Sequence, residues 1–256
     1  MIRQLPTIIS ILLLVTACSY KPFMRQQSSA PQLSAYRQSF HDAVGQTLVE
    51  TVGRQKLLGE LEQQRTLWLG DHHRHSRLHA LQTELLSQIQ NRGMPMAFGL
   101  ECIGVDDEHD VNEFLANKTD LDTMCKRIRN RWTGSWLDDR DLDPWFYRSL
   151  LEFAKRHRIA VFALEPTPRL PLHIRDSYIA QTVKNACKLH DDKLVVVIVG
   201  QTHLVGDGDI TRRSGQPGTM IGGLPPHHLL GMAPGKQTRG DLWQDDSKML
   251  WFSEMF

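Results

Sequence analysis

Carboxylates and imidazoles recur at one kind of place in this sequence, directly after short apolar runs. Thr66 to Gly70 is followed by Asp71-His72-His73, Met96 to Leu100 by Glu101, Ile159 to Leu164 by Glu165, and Leu194 to Val199 by Gly200-Gln201-Thr202-His203. Neutral imidazole and carboxylate are the usual nitrogen and oxygen ligands of divalent ions such as zinc or manganese, so His73, Glu101, Glu165 and His203 form a candidate metal set. The same residues read as an acid and base set, with Asp71 or a glutamate activating a metal-bound water. The bland alternative is that strand-end polar residues cap helices and satisfy loop amides. A shared site requires all four runs to end at one rim.

The elements that would build such a rim are legible. The four runs are aliphatic or aromatic without strict alternation, which predicts strands buried on both faces of a parallel sheet. In such a sheet the carboxyl ends of the strands line the ligand crevice. Gly70 and Gly200 each open a Gly-x-x-His turn, where glycine lets the chain leave the strand sharply. Helical periodicity lies between the runs: Leu78, Leu81, Leu85 and Ile89; Trp145, Leu150, Phe153 and Ala154; Ile179, Val183 and Ala186. Asp143 as N-cap with Pro144 at the first helical position is a start signal for the second of these. Asp106 to Asp143 reads as a mostly helical insertion carrying Trp132 and Trp136. After His203 the chain is rich in glycine and proline, with a last strand expected at Met249 to Ser253. The expected fold class is α/β, an open, mostly parallel sheet with helices on both faces and a helical insertion.

The N-terminus carries a different kind of chemistry. Arg3, an apolar run from Ile8 to Val15, and Thr16-Ala17 before Cys18 make a secretory signal whose core is too short to span a bilayer. Val15-Thr16-Ala17-Cys18 resembles a lipobox, in which cleavage before Cys18 leaves an acylated N-terminal cysteine and a membrane anchor. Ser19 follows, with no Asp there to resemble an inner-membrane retention signal, so the expected location is the cell envelope at the outer membrane. The expected organisation is a signal peptide at 1–17, lipidated Cys18 and tether at 18–34, and one domain at 35–256. Loss of residues 1–17 leaves 29 basic and 29 acidic residues. A neutral chain has no broad field for nucleic acid or anionic lipid. Cys102, Cys125 and Cys187 allow one disulfide at most, match no zinc or redox spacing, and read as buried small side chains.

LWLGDHHRHSRLHALQ resembles the opening of the ChaN family, in which a strand ends in Gly-Glu-x-His and the next helix bears His-x-x-Gln. Gly70, His73, His79 and Gln82 match; Asp71 stands where the family has Glu, Arg74-His75-Ser76 replaces Asp-Asn-Pro, and Leu78 replaces a second helix histidine. Glu101, the tryptophan-bearing insertion, Trp145-Phe146-Tyr147 and VVVIVGQTHL ending in His203 extend the resemblance from Ser39 to Ile210. It implies a haem-binding lipoprotein of iron uptake, with His73, His79, Tyr147 and His203 as candidate haem-binding residues. Trp132, Trp136 and Trp145 become candidates for packing on a porphyrin face, and a haem receptor in the outer membrane and a second copy of the chain become candidate partners. The family's wider superfamily includes the Tiki metalloproteases, whose paired Gly-x-x-His motifs and glutamates are similar, so the alternative is an envelope-anchored metal-dependent hydrolase using Asp71, His73, Glu101, Glu165 and His203. His75 and the His227-His228 pair are weaker ligand candidates.

Overall fold

The four apolar runs do form adjacent parallel strands, and their ends meet. The structure, a computed structural model, describes residues 30–131, 135–223 and 242–252. In chain order the elements are α1 (Ala30–Ala43), β1 (Leu48–Val52), α2 (Arg54–Leu61), β2 (Thr66–Asp71), α3 (Ser76–Asn91), β3 (Met96–Gly104), α4 (Glu108–Leu115), α5 (Leu121–Arg131), α6 (Pro144–His157), β4 (Ala160–Glu165), α7 (Leu172–Leu189), β5 (Leu194–Gly200), α8 (Ile210–Ser214), β6 (Gly218–Gly222), β7 (Leu242–Asp245) and β8 (Leu250–Phe252). Short 3₁₀ turns follow β3 (Val105–Asp107) and β5 (Gln201–His203).

These strands form one sheet in the order β1-β7-β8-β6-β2-β5-β3-β4. Only β7 runs against the rest, pairing antiparallel with β1 and β8, among the described residues. The register matters for the site. Asp71 lies opposite Gly200, and Leu100 opposite Ile198, so the ends of β2, β5 and β3 stand side by side. Between Leu100 and Gly104 the pairing of β3 with β4 slips, which places Glu101 in an irregular stretch beside Glu165 at the end of β4.

Alternate residues of the strands go to opposite faces, and both faces are covered. Leu67, Leu69, Phe98, Leu100, Val196 and Ile198 pack with α2, α3 and α6. Trp68, Val195, Val197 and Val199 pack with α1, α7 and Ile210 of α8. Leu67, Trp68 and Leu69 are fully buried, and side chains of this size each stabilise the fold by about 1.5–3 kcal/mol. A sheet sealed on both sides must be apolar at every strand position, which is why the runs show no alternation in sequence.

Several starts and stops follow the expected chemistry. The Asp143 side chain accepts from Phe146 N at 3.4 Å and Pro144 follows it, so α6 begins where the sequence signals it. Within the expected insertion, α4 and α5 are helical. The last strand falls at Leu250–Phe252. One boundary differs: α1 begins at Ala30, inside the segment expected as tether, with Pro31 in its first turn where a missing N–H costs nothing. Cys102, Cys125 and Cys187 are free thiols.

Candidate functional site

At the Gly-x-x-His turn after β2 three side chains gather around one carboxylate. Asp71, buried at the strand end, contacts His73 Nδ1 through Oδ2 at 3.0 Å and His79 Nε2 through Oδ1 at 2.8 Å. The Tyr147 hydroxyl donates to the same Oδ2 at 2.7 Å. His79 comes from the buried face of α3, stacks on Phe146 at 3.9 Å, and meets Asp143 Oδ2 with its Nδ1 at 2.8 Å. Gln82, one turn further along α3, donates to the Gly70 carbonyl at 2.9 Å. A side chain at position 70 would reach 2.7 Å from Gln201 Cβ, so the close approach of the two turns needs glycine there. Gly70, His79 and Gln82 are thus the frame, and His73 is what the frame holds.

His73 is also the open member. Its side chain is 37% exposed. Among the described residues only its Nδ1 has hydrogen-bond partners, Asp71 and, at 3.4 Å, Tyr147. The residue lines a cleft of about 430 Å³ together with Arg37, Phe40 and His41 of α1, Asp71, His72 and Arg74, Leu142, and Gly200, Gln201 and Thr202. Trp136 tilts against the imidazole at 4.3 Å. Burial alone lowers the affinity of the His73 ring for a proton, but the hydrogen bond and charge of Asp71, helped by Glu101, raise its pKa above the ordinary histidine value. Burial likewise opposes the Asp71 charge, and the contacts with His73 and His79 more than offset it, holding this carboxyl well below the usual carboxylate range.

A second histidine sits deeper, on the far side of Gly200. His203 Nδ1 lies 2.5 Å from Asp176 Oδ1 and 2.8 Å from the Tyr36 hydroxyl, which donates to Asp176 Oδ2 at 2.9 Å. Its Nε2 is 3.0 Å from Arg175 Nη2. Glu101 Oε2 accepts the Gly200 N–H at 2.6 Å, and Oε1 lies 3.6 Å from His203 Nε2. Burial pushes the Glu101 pKa up, yet His203, Arg175, His73 and the Gly200 amide bring it down to about 2. Glu165 is raised by burial, against the pull of Arg175 and Arg169. Tyr36 reaches this point because α1 lies flat on Gly206 and Gly208; a Cβ at Gly208 would come within 2.5 Å of the Tyr36 hydroxyl.

The expected site residues therefore converge on one rim but divide into an open half and a closed half. Of the expected site histidines among the described residues, His73 is the one that lines the cleft. His79 is 2% exposed with both nitrogens held by carboxylates, so it orients Asp71 and is closed to a ligand. Tyr147 is buried, and burial together with the Asp71 charge and hydrogen bond raises its pKa strongly, which disfavours the tyrosinate an iron ligand would be. Glu101, Glu165 and His203 surround Arg175 rather than a space for an ion. Among the described residues no group of three or more His, Cys, Asp or Glu side chains is placed to hold a metal ion. His75 accepts from Leu78 N at 3.1 Å and caps α3. Trp136 borders the site, whereas Trp145 is 77% exposed; Trp132, His227, His228 and Cys18 lie outside the described residues.

Sequence reasoning missed Arg175, Asp176 and the part played by Tyr36. A signal existed for the first two. In α7 they fall on the same buried stripe as Ile179, Ala180 and Val183, where a charge is tolerated only with partners.

The sheet places a histidine and its carboxylate at its carboxyl edge, where open α/β sheets carry their ligand crevices. Residues 57–171 match the family described as haem-binding uptake, Tiki superfamily, ChaN. Over that segment the chain is ChaN-like, as its motifs led one to expect. No curated protein matches the chain. Among solved structures, the type III effector HopBA1 is similar at 15% identity and a TM-score of 0.49, covering 81% of this chain and 96% of that one. ChaN of Campylobacter jejuni, whose structure is described as showing cofacial haem binding, is similar at 9% identity and a TM-score of 0.49, covering 68% and 87%. The RRSP effector domain of a MARTX toxin from Vibrio vulnificus is similar at 17% identity and 0.46, covering 87% of this chain and 40% of that one.

Proposed function

We propose that this chain is an exported, lipid-anchored envelope protein that binds haem in the cleft beside β2 and β5 and takes part in haem-iron uptake, with His73 as the iron ligand. One observation carries the reading. His73 gives its Nδ1 to a buried carboxylate, leaves Nε2 without a hydrogen-bond partner among the described residues, and lines an open cleft. Ligating histidines characteristically donate the other ring nitrogen to a carboxylate, which fixes the tautomer and makes the free nitrogen a better donor.

The rest of the cleft suits the remainder of such a ligand. Phe40 and Leu142 offer apolar contact, and Arg37 and Arg74 supply charge for carboxylate substituents. Neither arginine has an ion pair among the described residues. About 430 Å³ is an ordinary size for a ligand cleft. Bound haem would supply the iron centre; His73 would supply the imidazole, Asp71 its orientation, and Arg37 and Arg74 the anion clamp. The ChaN-like segment supports the haem class. The lipobox at Val15–Cys18 supports the anchor, and Ser19 the outer membrane. A haem receptor in the outer membrane and a second copy of this chain are the partners proposed with it.

Hemin titration of the full chain in detergent tests the site. A Soret shift saturating at fixed stoichiometry, lost in His73→Ala but kept in His203→Ala, is the expected result. A hemin response that ignores His73→Ala removes this residue as ligand, and no saturable response at all removes haem.

A further inference from the structure

Below the cleft floor the structure brings together the residues whose types call for a divalent ion, and puts a guanidinium among them. Arg175, 4% exposed, enters from α7. Its Nη1 is 3.5 Å from Glu165 Oε2, and its Nη2 is 3.8 Å from Glu101 Oε1 and 3.0 Å from His203 Nε2. A zinc ion would need these three residues about 2.0–2.2 Å from one point. Here all three instead contact one planar guanidinium, covalently tied to α7.

The hydrogen bonds say more than the crowding does. A guanidinium has five donors and no acceptor. Its contact with His203 Nε2 therefore uses the ring's lone pair, the one a metal would take. The proton must then sit on Nδ1, where it is donated to Asp176 Oδ1 at 2.5 Å, while Tyr36 donates to the other oxygen of Asp176 at 2.9 Å. Neighbours in the chain, Arg175 and Asp176, thus grip the two nitrogens of one imidazole. The same cation faces Glu101, whose other oxygen is tied to the Gly200 amide.

We infer that the inner half of the site works without a metal: Arg175 is its resident cation, holding Glu101 and Glu165 as a divalent ion would, and with Asp176 it locks His203 in the Nδ1–H form. His203 is then a positioning residue for the wall behind His73. Being covalent, this cation neither exchanges nor leaves with a chelator, so the architecture of the rim is independent of metal supply. The inference stands whether or not the cleft binds haem.

Two measurements on the full chain test it. Cobalt(II) titration of the chelator-treated wild type is expected to give no visible d–d bands and no shift in melting temperature. Arg175→Ala, if it folds, is expected to gain one equivalent of cobalt with such bands, and to lose it again when His203→Ala is added. In the wild type, ¹⁵N chemical shifts of His203 are expected to report a protonated Nδ1 and a bare Nε2. One-to-one cobalt binding by the wild type that depends on His203 or Glu101 overturns the inference, as does a protonated Nε2. A folded Arg175→Ala that takes no cobalt also overturns it, and if that variant fails to fold, the wild-type titration and the tautomer still decide.

Discussion

An imidazole binds iron only through a lone pair, so the Asp71 contact that makes His73 a stronger donor also makes it a stronger base. Its raised pKa has two consequences of opposite sense. Proton binding to His73 contributes stability below the ordinary histidine value, near 6.5, and that contribution is lost as pH rises through the raised value. Asp71 behaves conversely: its depressed pKa stabilises the fold above the ordinary carboxylate value, and this is lost as pH falls through the depressed one. For the ligand the sign is simple. If His73 holds the iron as proposed, hemin and proton compete for the same nitrogen, so affinity is expected to fall about tenfold per unit once pH drops below the His73 value. Asp71→Asn removes the charge that raises it, and the midpoint of that fall should move toward lower pH, with weaker binding on the high-pH plateau. A hemin affinity flat from pH 8 to 5, in wild type and variant alike, would show that the iron is not held by His73.

At the level of elements, the motif residues prove to be framing parts. Asp143 serves two of them at once, capping α6 through Phe146 N and holding His79 Nδ1. Asp143→Ala is expected to lower stability by more than the usual loss of an N-cap, about 1 kcal/mol, because it also leaves a buried ring nitrogen unpaired, at about 1–3 kcal/mol. Thermal unfolding should show the loss while the Soret maximum of the hemin complex stays in place; an unaltered melting temperature would mean that His79 finds another partner. What the sequence made legible follows the same division. Strands β2 to β5 and their polar ends could be read because a doubly covered parallel sheet demands continuous apolar runs, and chemistry collects where they stop. Strands β1, β6 and β7 could not be read so, being short and partly exposed: Leu48–Val52 buries only Val52 fully. The division of the rim was hidden for another reason. Whether His203 faces a ligand or an arginine depends on where α7 packs and on α1 bringing Tyr36 to Asp176 from 140 positions away, and no local pattern encodes a pairing at that separation.

For the molecule as a whole, attachment and binding should be separable. Cleavage before Cys18, as proposed, would leave 29 basic and 29 acidic residues, with no net charge to draw the chain to an anionic surface. No helix among the described residues is long and apolar enough to cross a membrane. On the proposed reading, membrane attachment is through acylated Cys18, several acyl chains being needed for stable anchoring. The site itself is carried by residues from Tyr36 onward, and the nearest of them, on α1, are held by packing of that helix on Gly206 and Gly208. Cys18→Ala is therefore expected to abolish palmitate labelling and deplete the protein from the outer-membrane fraction, while its hemin affinity in vitro matches that of the wild type. Salt and detergent distinguish the means of attachment in the wild type: an acyl anchor resists one molar salt, which screens charges within about 3 Å, and yields to detergent. Release of the wild type by salt, or Cys18→Ala remaining acylated in the outer membrane, would show that the lipobox reading is wrong. An intact anchor with hemin affinity lost in Cys18→Ala would instead show that the N-terminal segment reaches the cleft.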